Sequence, residues 1–71
     1  MRTTMCATVL QVDPQSMLVC DHSTNQEVLV HTEDACRFSQ GNRVCINFNG
    51  IMTMSIPPQI TANCIRLIGC C

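Results

Sequence analysis

The chain contains no lysine, tryptophan or tyrosine, and its only aromatic residues are Phe38 and Phe48. Surfaces that bind nucleic acid draw on dense cationic charge and on rings that stack against bases. Four arginines against five acids, for a net charge of −1, supply neither. Nucleic acid is therefore not the expected partner; were it one, Arg37, Arg43 and Arg66 would have to cluster to hold it. No apolar run is long enough to span a bilayer. Residues 1–7, MRTTMCA, lack the continuous apolar segment of a secretory signal. No membrane partner is expected, and the expected location is the cytoplasm. Catalytic signatures are missing as well. There is no glycine-rich phosphate loop, no Ser-His-Asp spacing, and no adjacent carboxylates except Glu33-Asp34. The chain reads as non-enzymatic.

What remains is a single small domain, residues 1–71, with 46% hydrophobic residues and seven cysteines. A core of this size leaves about 3–5 kcal/mol of net stability unless something staples it. The odd cysteine count and the absence of a signal argue against a disulfide framework. Cys6, Cys20 and Cys45 lie inside strand-like runs, where a free thiol behaves as a small hydrophobe.

The residue pattern is β throughout. Met5–Val12, Met17–Asp21 and Glu27–His31 read as three strands joined by polar turns at 13–16 and 22–26, a meander. Thr32–Gln40 breaks the pattern. Thr32 suits a helix cap, Glu33 and Asp34 suit its positive end, and Ala35 and Phe38 share a face. Asn42–Phe48 follows as a fourth strand. Asn49-Gly50 then predicts a type I′ hairpin into a fifth strand, Ile51–Ser55, because that turn takes positive φ at both central residues. Pro57-Pro58 removes two donors and turns the chain toward a terminal strand over Thr61–Ile68, with residues 69–71 a frayed tail. The expected class is all-β with one short helix. In sequence the order is three strands, helix, two strands and a terminal strand, arranged as a small OB-fold-like antiparallel β-barrel.

Gly41, Val44, Ile46, Gly50, Ser55, Pro57, Gln59, Ala62 and Ile65, within residues 38–65, carry a resemblance to a known family. They resemble the C-terminal half of a small bacterial OB-like family of unknown function, with lipoprotein-type and stand-alone members. The many cysteines and the missing lipoprotein signal depart from that family. The resemblance implies the OB-like fold and agrees with a non-enzymatic role; it implies no activity.

Three constellations could carry chemistry. A two-residue turn at Thr24-Asn25 would set Cys20 opposite Leu29, His22 opposite Glu27 and Leu18 opposite His31. Cys20, His22 and His31 would then share one face, as a thiolate–imidazole metal set or a redox centre. Against this, the spacing matches no standard zinc module, and a histidine beside a turn is commonly just exposed. Adjacent Cys70-Cys71 could take a soft metal or cross-link chains, although neighbouring cysteines bridge each other poorly. Met5, Met17, Met52 and Met54 raise copper(I), but packing accounts for methionine more simply. No cofactor is expected. The Asn49-Gly50 hairpin register would make both of its faces apolar, and a barrel has one interior. Its outer strip, Cys45, Met52, Met54 and Ile56, is therefore the candidate surface for a protein partner or weak self-association. The function expected from sequence is a non-enzymatic binding or interaction module. A thiol/His metal or redox protein, or an OB-fold binder of single-stranded nucleic acid, is the alternative.

Overall fold

In the computed structural model, backbone is described for residues 3–70 and side chains for residues 3–68. Five strands form in chain order: β1 (Thr3–Val12), β2 (Ser16–Asp21), β3 (Glu27–His31), β4 (Asn42–Phe48) and β5 (Gln59–Cys70). A 3-10 turn, Ala35–Arg37, joins β3 to β4. The strands make one sheet that closes on itself in the order β1-β2-β3-β5-β4. Four of the five pairings are antiparallel; β3 and β5 run parallel over Leu29–His31 and Gln59–Thr61. A small all-β fold is thus present.

Alternation decides which residues fill the interior. Met5, Ala7 and Val9 of β1, Met17 and Val19 of β2, Val28 and Val30 of β3, Val44, Ile46 and Phe48 of β4, and Ile60 of β5 are buried. Ala35 and Phe38 come from the link between β3 and β4 and join the same cluster, so the short helical segment plugs it as its sequence suggested. Only one helical turn forms. It starts two residues later than Thr32 would set it, with Asp34 at the cap position and the Asp34 N–H donating to the Thr32 hydroxyl (3.1 Å).

β1 serves two neighbours, pairing with β4 over Thr3–Thr8 and with β2 over Ala7–Val12. A register shift between Val9 and Gln11 bends it between them, the usual effect of one extra residue. β5 shifts register twice, between the partners of Arg43 and Val44 and of Asn47 and Phe48. Those shifts let one long strand leave β3 in parallel and run back along β4.

Four expectations require correction. Ile51–Ser55 is not a strand, so there is no separate terminal strand after it; the strand expected at Thr61–Ile68 is β5 itself. The Asn49-Gly50 turn is not type I′, because Gly50 has φ 85° while Asn49 is not in the positive region. Asn49 instead accepts from the Ile51 N–H through its side-chain oxygen (3.0 Å). More decisively, β4 has two edges, and β1 and β5 occupy them, so a hairpin partner has nowhere to pair. Finally, the β2–β3 turn is wider than two residues. The Asp21 N–H donates to the Gln26 carbonyl (2.8 Å), and Asn25 takes φ 57°. Asp21 holds the turn by accepting from both the N–H and the hydroxyl of Ser23. Cys20 therefore faces Glu27 and Leu18 faces Leu29, two residues from the expected register. The expected frayed tail is held in the sheet at residues 69 and 70, which pair with Arg43 and Asn42; Cys71 lies outside the described residues.

Candidate functional site

Residues 49–58 cross one end of the ring between β4 and β5. Inside this loop, the Thr53 N–H donates to the Gln59 carbonyl (3.0 Å) and the Gln59 N–H donates to the Thr53 hydroxyl oxygen (2.9 Å). The Ser55 hydroxyl donates to the Pro57 carbonyl (2.8 Å) and sits 2.7 Å from the Thr53 hydroxyl. Ile56-Pro57 is cis. These bonds tie the loop's polar atoms to one another and to its own backbone, while its apolar side chains stay exposed. Met54 and Ile56 are each 100% exposed, Ile51 69% and Met52 37%. A chain that spends its loop hydroxyls on its own backbone presents a shaped apolar knob.

Beneath Met52 lies an open cleft of about 420 Å3, lined among others by Met5, Cys6, His22 and Phe48. Cys6 also belongs to the outer face of the sheet. On that face the register sets Cys6 of β1 opposite Cys45 of β4, and Cys45 opposite Arg66 of β5. The two sulfurs are 2.7 Å apart. The shared hydrogen bond with Cys6 pushes the Cys45 thiol above its ordinary value of 9.0, and partial burial adds to this, while the Arg66 guanidinium opposes it.

The sequence-derived candidates are scattered by this geometry. Cys45 lies on the outer face of β4, whereas Met52, Met54 and Ile56 belong to the loop, so the four make no single strip. Ile51, expected to open a fifth strand, joins the loop's apolar group instead. Met5 and Met17 are core residues, which removes them from any methionine metal set. Cys20, His22 and His31 do not converge. Cys20 sits between Thr8 and Glu27 in the register, His22 Nε2 is 2.6 Å from the Thr8 hydroxyl, and His31 Nε2 is 2.8 Å from Gln59 Oε1. Among the described residues no three His, Cys, Asp or Glu side chains are grouped to hold a metal ion. Arg37 lies 4.0 Å from Asp34, and both are exposed. Arg43 and Arg66 occupy β4 and β5, two residues apart in register on the outer face.

The Cys6–Cys45 juxtaposition went unread in the sequence. The available signal was outward alternation: each cysteine stands between two inward residues, Met5 and Ala7 for Cys6, Val44 and Ile46 for Cys45. Pairing them requires knowing that β1 lies beside β4, a contact between residues 39 apart. No protein-family model, curated protein or solved structure matches the chain.

Proposed function

We propose that this chain is a non-enzymatic protein-interaction module of the OB type that docks through its β4–β5 loop. The observation that carries the reading is the exposure of Ile51, Met52, Met54 and Ile56 on a loop fixed by its own hydrogen bonds. Burying a side chain such as Ile or Met contributes about 1.5–3 kcal/mol. A knob already held in shape loses little conformational freedom on docking, so more of that contribution appears as affinity.

The closed strand order, with the short helical turn between β3 and β4 and β3 parallel to β5, supports an OB-type barrel, as does the resemblance of residues 38–65. In barrels of that type the β4–β5 loop is one of the regular ligand-contacting loops. The occupant that suits an apolar knob is a partner protein with an apolar groove. Nucleic acid suits it poorly: both phenylalanines are buried and so unavailable for stacking, and the chain is slightly acidic. The polar groups that catalysis would recruit already have structural partners, Asp21 with Ser23, His22 with Thr8 and His31 with Gln59.

The test is a photo-crosslinking residue at position 54, with a second at exposed Gln15 as control. A protein captured at 54 and not at 15 is then purified and its affinity measured for the wild type and for Met54→Ser/Ile56→Ser. The double variant is expected to bind at least about 100-fold more weakly, from two lost burials. Equal affinity, or equal capture at both positions, would refute the reading. A loop-dependent dimer in sedimentation would replace the partner with a second copy.

A further inference from the structure

We propose that Cys6 and Cys45 form a thiol–disulfide exchange site that low-molecular-weight disulfides oxidise to a bond across β1 and β4. The two cysteines lie on β1 and β4, outside the docking loop, although Met52 of that loop lines the same cleft as Cys6. Its first support is the register. In a strand, the N–H and C=O of one residue point to the same side, and the Cys6 carbonyl accepts from the His22 N–H on the β2 side (3.0 Å). Cys6 therefore turns no backbone bond toward β4. It and Cys45 form a non-hydrogen-bonded pair, the kind with its Cα atoms about 4.5 Å apart. That separation falls at the short end of the range a disulfide spans, about 4.4–6.8 Å. The second support is the side chains themselves, whose sulfurs are already in contact at 2.7 Å.

Selectivity follows from the neighbours. Cys20 stands opposite Thr8 and Glu27, and Cys64 opposite Asn47, so neither faces a second thiol in register. Among the described residues Cys6 and Cys45 are the one thiol pair in contact. Their environments also differ in a way exchange can use. Cys6 is exposed and lines the open cleft that His22 also lines, so it meets a small disulfide first. Cys45 is half-buried, hydrogen-bonded to Cys6 as a free thiol, and faces the positive Arg66.

The chemistry balances without any other reactant. The Cys6 thiol loses its proton to solvent, and the thiolate attacks one sulfur of RS–SR, forming Cys6–S–SR and releasing RS⁻, which takes up a proton. Cys45 then loses its proton and attacks the Cys6 sulfur, releasing the second RS⁻, which is protonated in turn. The protein loses two hydrogens and two electrons, and RSSR becomes two RSH. The attacking species at each step is the thiolate, and access sets which thiol starts.

The experiment uses the full chain carrying Cys20→Ser, Cys36→Ser, Cys64→Ser, Cys70→Ser and Cys71→Ser, reduced and then exposed to glutathione disulfide. The expected result is loss of both titratable thiols, a mass lower by two hydrogens, no glutathione adduct, and a rate independent of protein concentration. Stable glutathione adducts, or a disulfide-linked dimer, would overturn the proposal. So would closure in urea as complete as in native buffer, because the preference would then owe nothing to the fold. If the five-serine chain does not fold, the native sequence is treated instead and its bridges located by tandem mass spectrometry. A dominant Cys6–Cys45 bridge is expected, and scrambled pairing would overturn the proposal.

Discussion

Closing Cys6 to Cys45 perturbs the fold in a way whose size follows from the chain separation. The two residues are 39 apart in sequence. Tying such a loop in the unfolded chain removes conformational entropy equivalent to about 4 kcal/mol at room temperature. A core of this size supplies about 3–5 kcal/mol in total. The bridge should therefore roughly double the stability, because the native register already places the pair without backbone displacement. For a chain this short it should raise the melting temperature on the order of 20 °C. Urea titration of the five-serine chain, oxidised and reduced, separates the two parts of the argument. The midpoint should rise, and the slope should fall because a cross-linked unfolded chain exposes less new surface. A fully oxidised sample with a midpoint at or below that of the reduced form would refute the reasoning, since bridging would then distort β1 or β4.

Other expectations follow from the same geometry. Ile46 is fully buried, and Ile46→Ala should cost about 2–5 kcal/mol, enough to unfold much of the population. Met54→Ser/Ile56→Ser removes only exposed side chains and should stay within about 0.5 kcal/mol per site of the wild type; urea midpoints compare the two directly. Thr53→Ala deletes the acceptor of the Gln59 N–H and should cost about 1 kcal/mol while accelerating hydrogen exchange at that amide. Unchanged exchange would mean that the loop is held by other bonds. The Cys45 thiol has a folded value raised above 9.0, so the folded chain keeps a proton that the unfolded chain has lost. Stability is then full below pH 9 and declines as pH rises through the folded value. Cys6→Ala removes the main cause and should flatten that decline, read from thermal midpoints between pH 8 and about 11 under reducing conditions.

Much of the sheet was legible because its signals are local. Glu27–His31, with its polar ends on one face, and Val44–Phe48 alternate in a way that fixes their inward faces whatever their neighbours. Ala35 and Phe38 are spaced to plug the interior together, and they do. The failures came where the outcome depends on competition between distant segments. Asn49-Gly50 is a strong hairpin signal on its own. It loses because Gln59–Cys70 can occupy the same edge of β4 while also reaching β3, closing the sheet and burying Ile60. No local pattern in residues 49–55 encodes that rival. The β2–β3 turn failed on smaller scale: Asp21 engages Ser23 by side chain, which widens the turn by two residues and moves Cys20 from Leu29 to Glu27.

The same competition explains the apolar excess that a hairpin reading could not resolve. With Ile51–Ser55 as a strand, both faces of the β4 hairpin would be apolar around a single interior. Once those residues leave the sheet the contradiction disappears, and the excess becomes the loop group of Ile51, Met52, Met54 and Ile56. Cys45 stays behind on β4, where its relevant neighbour is Cys6. That contact exists only in one register: sliding β1 by two residues would put Asn47 or Arg43 opposite Cys6 instead. A one-residue slide would turn the inward set of β1 outward, which the burial of Met5, Ala7 and Val9 forbids. A Cys6–Cys45 bridge formed under native conditions would therefore report two things at once, the thiol chemistry of the pair and the closure of β1 onto β4. Bridging of Cys6 to any other described cysteine would contradict both.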